Sequence, residues 1–351
     1  MVSLRVAARS FLLQENLGTA KFEVVPLLSY VSLSTLRWPT KSPDSLDPSS
    51  RRTRRRPLTT IASTVVHPLL AIIYAFGVIP LLDIWTGDDD SAAPPGKLTP
   101  QTRSHLRNLL KLYPLVHYTM LLTVIHLVAS ATDGRAYSNL GVLGLTLSLG
   151  VGASTSFMVA HELVHSTDDA ERSLSAVLLL SNFYMHWGRA HLQHHAHVGT
   201  PNDPTTSMRG ETVFAFWVRS VAGNFVNAFK AEWRRPRGGN VVMWIVAPLA
   251  LMLATFAVYG RVGAAVLVGQ AVVSVLMLET VNYIEHYGLV RENKGAVLPK
   301  HSWNSSTSYG NAVTYNLQRH SDHHANAQKP FYALESIKDA PQLPAGYPGM
   351  Y

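Results

Sequence analysis

Cysteine is absent from the 351 residues, which excludes disulfides, thiolate zinc sites and a built-in iron–sulfur centre. Redox chemistry on this chain therefore has to draw its electrons from another protein. Charge is also scarce: 15% of residues are Asp, Glu, Lys or Arg, against roughly 25% in an average soluble domain, while 47% are hydrophobic. That deficit points to a membrane. The net charge of +8 is mostly local, because five arginines fall within RRTRRR at 51–56. The remainder is nearly balanced, so nucleic-acid binding has little support. A basic block beside a membrane span acts as a topology determinant or a lipid-headgroup contact.

Long apolar runs are what the sequence does contain. Residues 61–82, 113–130, 138–160, 241–260 and 262–283 read as five firm transmembrane spans. Residues 22–36 are apolar but short, and would make a sixth. Residues 174–185 are too short to cross and read as a half-buried helix. Residues 83–96, DIWTGDDDSAAPPG, read as an acidic loop, and a polar segment runs from 186 to about 240. Glycines in 138–160 suit close helix packing, with Gly144, Gly150, Gly152 and Ala153 as alternative channel-lining positions. Residues 1–20 carry Arg5 and Arg9 and no acid before Glu15, which fits an organelle transit peptide or an unstructured tail. The expected organisation is an N-terminal extension and linker over 1–60, then an all-α, multi-pass integral membrane bundle over 61–351.

Histidine is the outlier, with 16 residues. His67, His105, His117, His126, His186, His197 and His301 are scattered and read as structural. The other nine are grouped. HELVH places His161 and His165 four apart on one helical face, at the end of a span. His191, His194 and His195 form H-x-x-H-H, as do His320, His323 and His324, and His286 follows the last span. Adjacent histidines on a helix project about 100° apart, so each pair serves either two metals or a shared one. Nine imidazoles are too many for one zinc, which takes four ligands. They suit two metals, and the donor set is compatible with Fe, Cu, Ni or Zn. HELVH is also the zincin pattern, with Glu162 as general base, so a zinc intramembrane protease competes.

These clusters, with NYIEHYGL at 282–289, HSWNSS at 301–306, LQRHSDHHAN at 317–326, LPAGYPG at 343–349, PLLDIWTGDD at 80–89 and TPNDPTTSMRGE at 200–211, resemble the alkane 1-monooxygenase branch of the membrane di-iron desaturases and hydroxylases. The likeness covers roughly residues 60–351. It implies a six-helix bundle, with a histidine cap holding two irons on His161, His165, His191, His194, His195, His286, His320, His323 and His324. It also implies supporting roles for the acids Glu162, Glu285 and Asp322, and partners for the imidazoles among Asp203, Glu211 and Asn282. The implied reaction is hydroxylation of the terminal carbon of an alkane or similar alkyl chain. It uses O2 and electrons from rubredoxin and its NAD(P)H-dependent reductase. Desaturation, fatty-acid hydroxylation or decarboxylation on the same irons is the nearest alternative. A degenerate homologue that binds lipid or a partner is another.

Several positions depart from the family pattern. Ala190 stands where the second cluster usually begins, and His191 lies one residue later, with His186 and His197 as possible substitutes. Ser166 follows HELVH where lysine is general, and WNSST replaces WNSNH at 303–307. If residues 22–36 cross, RRTRRR falls on the membrane side opposite the histidines, against the positive-inside tendency for a cytosolic site.

Overall fold

The structure, a computed structural model, describes residues 68–89, 98–132, 137–235, 239–292 and 295–351. The 22–36 segment, the basic block at 51–56, His67 and the first part of the 61–82 span lie outside the described residues. Helix dominates what is described. No β-strand occurs there, only the isolated bridges Asp88–Thr307 and Asn304–Gln342.

Helix α1, Leu70–Thr86, contains a π-helical turn at Tyr74–Val78 and runs past the expected end at 82. Asp83, expected at the start of an acidic loop, is buried inside this helix instead. Its Oδ1 accepts the N–H of the distant Gly310 at 2.6 Å. Helix α2, Pro100–Thr132, starts well before the expected span at 113. Thr99 Oγ1 accepts the Thr102 N–H at 3.1 Å, and the polar first turns carry Arg107 and Lys111 to Glu171. Burial works against ionisation of Glu171, but Arg107, Ser166 and Lys111 outweigh it and hold the carboxyl down at about 2.

Helices α3, Asn139–Ala153, and α4, Thr155–Val164, form one apolar run of 26 residues, Asn139–Val164, started by a Ser138 cap on Gly141 N–H. Gly150 lets α3 press against the last long helix. A Cβ there would stand 2.4 Å from Val273 Cβ and 2.9 Å from the Gln270 carbonyl. In lipid, helix association rests on such close packing, because the tails are as apolar as the side chains. Helix α5, Asp169–Leu180, opens on an Asp168 cap and is followed by α6, Trp187–His197, and α7, Val213–Trp233. The polar segment expected over 186–240 thus contains two helices. Phe216, Ser220, Asn224 and Ala228 recur every fourth residue and give α7 a buried stripe that mixes polar with apolar groups.

Helix α8, Val241–His286, has 46 residues, about 69 Å at 1.5 Å per residue and more than twice the ~30 Å apolar core of a bilayer. It is broken at Gly260, where φ is 66° and ψ is −165°, a conformation that glycine adopts without a Cβ penalty. The break falls between the two spans expected at 241–260 and 262–283. Among the described residues, three helical segments are long and apolar enough to cross a membrane: Pro100–Ser130, Asn139–Val164 and Val241–His286.

The chain after 286 folds as a cap of short helices: α9, Ser308–Val313, α10, His320–Ala325, and α11, Tyr347–Met350. Side-chain-to-backbone bonds hold it. Arg291 donates to the Val198 and Ala196 carbonyls at 2.7 Å each, and Arg319 donates to the Leu334 carbonyl at 2.6 Å. The cap and α6 bring the histidine-bearing segments together over the ends of α4 and α8.

Candidate metal centre

Helical spacing sorts the nine grouped histidines into two sets. His161 on α4 and His165 at its C-cap, and His191 and His195 on α6, are pairs four residues apart, and each pair shares a face. They meet His323 of α10. His194 is turned away from its neighbour His195 and joins His286, His320 and His324, of which His320 and His324 are again four apart. Within each set, the donor atoms all lie within 4.8 Å of one another. The H-x-x-H-H clusters are therefore divided between the sets, and adjacent histidines serve different ones.

The distances are informative. In the five-histidine set, Nε2 of His191 lies 3.0 Å from Nε2 of both His165 and His195, and His323 Nε2 lies 3.0 Å from that of His195. In the four-histidine set, His194 Nε2 is 3.1 Å from His286 Nε2 and 3.2 Å from His324 Nε2, and His320 Nε2 is 3.2 Å from His286 Nε2. Two nitrogens bound at about 2.1 Å to one metal are about 3.0 Å apart at a 90° angle and about 3.4 Å apart at the tetrahedral angle. Three contacts of the five-histidine set have the right-angle spacing, and its five donors exceed the four of tetrahedral zinc. His161 Nε2 is buried without a hydrogen-bond partner, as expected for a lone pair reserved for a cation. Burial, reinforced by neighbouring imidazoles, holds His191, His195, His320, His323 and His324 well below the ordinary histidine range. Burial also brings His165 down to about 4. The rings are thus neutral, the form that ligates metal. This donor set fits two transition-metal ions.

The acids behave differently from one another. Asp203 Oδ2 accepts from His194 Nδ1 at 2.8 Å and from the Thr206 hydroxyl at 2.6 Å, which leaves His194 Nε2 for the centre. Burial opposes the Asp203 charge, but His194 and Thr206 outweigh it and lower its pKa. Glu162 accepts from the Phe331 N–H at 3.1 Å. Asp322 accepts from Asn326 Nδ2, Lys329 Nζ and the Glu335 N–H, and closes α10 onto the following loop. Glu211 pairs with Arg219, and Asn282 donates to Glu279. Glu285 accepts the Tyr347 hydroxyl at 2.7 Å on Oε1 and places Oε2 3.2 Å from His320 Nε2. His286 Nδ1 faces the His301 carbonyl at 3.3 Å.

His186 packs on Tyr184, Phe225 and Trp244, and His197 hydrogen-bonds the Gln193 carbonyl. Neither joins a set. His191 keeps its place with His195 although Ala190 occupies the usual position, because four-residue spacing restores a common face. His117 bonds Ser181 in the core, and His126 packs on Tyr259. Sequence reasoning passed over Glu279, which accepts from Tyr184 at 2.8 Å and Ser220 at 2.6 Å. An acid inside the 262–283 span was the available signal.

An apolar cavity of about 680 Å³ abuts both sets. His161, His191, His194 and His320 are among its lining, with mainly apolar side chains of α1, α2, α3, α4, α8 and the cap forming the rest. Gly152 lines it, whereas Gly150 packs between helices.

The fatty acid desaturase family model matches residues 138–351. Alkane 1-monooxygenase 1 of Pseudomonas aeruginosa is 34% identical over 312 residues, covering 83% of this chain and 81% of its own. This chain is a member of the alkane 1-monooxygenase family. Alkane 1-monooxygenase 2 of Alcanivorax borkumensis is 33% identical over 294 residues, with 79% and 76% of the two chains covered. The hydroxylase component of a Pseudomonas putida xylene/toluene monooxygenase is 30% identical over 234 residues, covering 62% and 63%. The desaturase-family match spans every segment that contributes to the two histidine sets, from α4 to the C-terminal cap.

Proposed function

We propose that the chain is a multi-pass membrane monooxygenase that hydroxylates the terminal carbon of alkanes or similar alkyl chains. The observation that carries this reading is an apolar cavity ending on two imidazole sets, five and four strong. Iron is the metal that fits the family, the donors and the right-angle spacing, with one ion per set. Bound there, two irons would supply the electrons and sites for activating O2. The net reaction takes an alkane, O2, two electrons and two protons to an alcohol and water. With no cysteine in the chain, rubredoxin and its NAD(P)H-dependent reductase supply the electrons.

The residues have separable tasks. The nine imidazoles hold the ions, and Asp203 fixes the tautomer and direction of His194. Phe157, Leu278 and Val281 line the cavity and keep water from the alkyl chain. The long shape favours end-on entry, so a terminal methyl group meets the histidines first. Counting the two parts of α8 separately, and α1 together with the residues before it, gives five spans. Residues 1–60 are an extension outside this domain.

A zinc protease fits less well. Glu162 is turned to the Phe331 amide, and the five-histidine set exceeds what a hydrolytic zinc needs. Turnover of octane under ¹⁸O2, with rubredoxin and its reductase, is expected to give 1-octanol carrying one labelled oxygen. An unlabelled alkene would instead assign desaturation, and no oxidised product from correctly folded, iron-loaded protein would contradict the oxygenase reading.

A further inference from the structure

Glu279 takes no part in the chemistry above, although an acid inside a membrane-spanning helix is costly and marks function by default. It lies in the second half of α8 and is fully buried. Three donors meet its carboxylate. Oε1 accepts the Tyr184 hydroxyl at 2.8 Å, and Oε2 accepts the Ser220 hydroxyl at 2.6 Å and Asn282 Nδ2 at 3.3 Å. A deprotonated carboxylate only accepts, and it satisfies all three. The buried Tyr184 phenol therefore points its proton at a base rather than at water.

The Tyr184 ring begins a file of aromatic rings that ends on the metal centre. The Trp187 N–H donates to the Tyr184 carbonyl at 2.9 Å, which sets the two residues one turn apart at the start of α6. Both rings meet Phe157 of α4 edge-on, with centroids 6.1 Å away for Tyr184 and 5.8 Å away for Trp187. Trp187 then stacks on His191 of the five-histidine set, at 4.5 Å with the planes 21° apart. All three aromatic rings are buried, and Trp187 and Phe157 also line the apolar cavity. Indole and phenol give up one electron far more readily than the aliphatic side chains around them. A phenol does so most easily when a positioned base takes its proton.

We propose that the chain has a second activity, reduction of O2 to water in the absence of alkane, and that Trp187 and Tyr184 carry electrons for it. The inference rests on the proposed oxygenase function. In hydroxylation, the alkane supplies two of the four electrons that O2 takes up, and an empty cavity leaves those two missing. Trp187 then gives one electron to the oxidised centre through His191, and Tyr184 gives one electron to the Trp187 radical cation. The Tyr184 O–H bond breaks in that step. Its proton goes to Glu279 Oε1, and a neutral tyrosyl radical remains. The next electron from the external carrier returns along the same rings, and Glu279 gives the proton back to the phenol. Two such cycles replace the electrons of the alkane. The net reaction takes O2, four carrier electrons and four solvent protons to two waters. The imidazoles and the cavity wall are spared oxidation.

The test uses iron-loaded protein in phosphatidylcholine nanodiscs, reduced, freed of excess reductant and freeze-quenched with O2, with and without octane. Without octane, the wild-type protein should give an EPR signal with tyrosyl hyperfine structure, which narrows when the protein carries ring-deuterated tyrosine. Octane should suppress it. Tyr184→Phe keeps the ring against Phe157, and should lose the signal while retaining wild-type iron content and wild-type 1-octanol formation. Trp187→Phe keeps a ring on His191 and should lower the radical yield severalfold. Under continuous turnover with rubredoxin and its reductase, Tyr184→Phe should inactivate severalfold sooner than wild type without octane, and at the wild-type rate with it. A packing defect would shorten both lifetimes alike. The proposal is overturned by a wild-type protein that shows no tyrosyl signal without octane, by an unchanged signal in Tyr184→Phe, or by lifetimes shortened equally under both conditions. Labelled 1-octanol from the same wild-type preparation reports on the oxygenase function separately, so the two readings fail distinguishably.

Discussion

His323→Ala is expected to reduce bound iron from two per chain to one or none and to abolish alkane hydroxylation. His323 is the single contribution of α10 to the five-histidine set, and its Nε2 lies 3.0 Å from that of His195. Its ring centroid stands 4.3 Å from that of His161. Removing it opens a gap between α4, α6 and the cap. Partners that only orient a ligating histidine cost about 10- to 100-fold when lost, so removing the ligand itself should cost more than 100-fold in activity. His324→Ala strikes the four-histidine set instead. The two variants should therefore lose different irons, which Mössbauer spectra of ⁵⁷Fe-loaded protein distinguish. Retention of two irons and full turnover by either variant would remove that histidine from the ligand set. Circular dichroism and thermal unfolding separate ligand loss from misfolding, which matters because both residues are buried.

Leu145→Trp should abolish hydroxylation of hexadecane, by about 100-fold or more, while sparing octane. The cavity is lined on one helical run from His161 back to Leu145, sixteen residues and about 24 Å at 1.5 Å per residue. An extended chain advances about 1.2 Å per bond, by analogy with the reach of a polypeptide, so roughly twenty bonds fit that length. Octane, with seven bonds, spans about 8 Å and stays at the histidine end, whereas hexadecane, with fifteen bonds, spans about 18 Å and comes within reach of an indole projecting inward from position 145. Leu145 is itself buried, so the indole has to project into the cavity or displace its neighbours. Gas chromatography of products from a mixture of alkanes reads the chain-length cut-off directly. An unchanged cut-off would mean that the chain lies along a different wall.

The parts of this molecule legible in sequence are those written in local periodicity. Apolar runs marked the long helices, and Gly260 falls between two spans read as separate. His161 with His165, and the H-x-x-H-H clusters, announced metal because four-residue spacing puts imidazoles on one face. Which histidines meet which was not legible, because it depends on how α4, α6, α8 and α10 are oriented against one another. The same limit applies to the acids. Glu162 and Asp322 sit inside histidine motifs yet hydrogen-bond to Phe331 and to Lys329 and its neighbours, whereas Asp203, eight residues beyond the second cluster, supports His194. Helix α7 was missed because its buried stripe carries Ser220 and Asn224 beside Phe216, and a polar stripe gives no apolar signal. Asp83 read as the start of a loop because its partner, Gly310, lies more than two hundred residues away.

The central claim is tested most directly by metal quantification joined to X-ray absorption on the detergent-purified protein. The account predicts two irons per chain, each surrounded by nitrogen and oxygen scatterers at about 2.1 Å, with no sulfur. A single zinc with four or fewer light-atom neighbours, or a chain that takes up no iron while correctly folded, would contradict it.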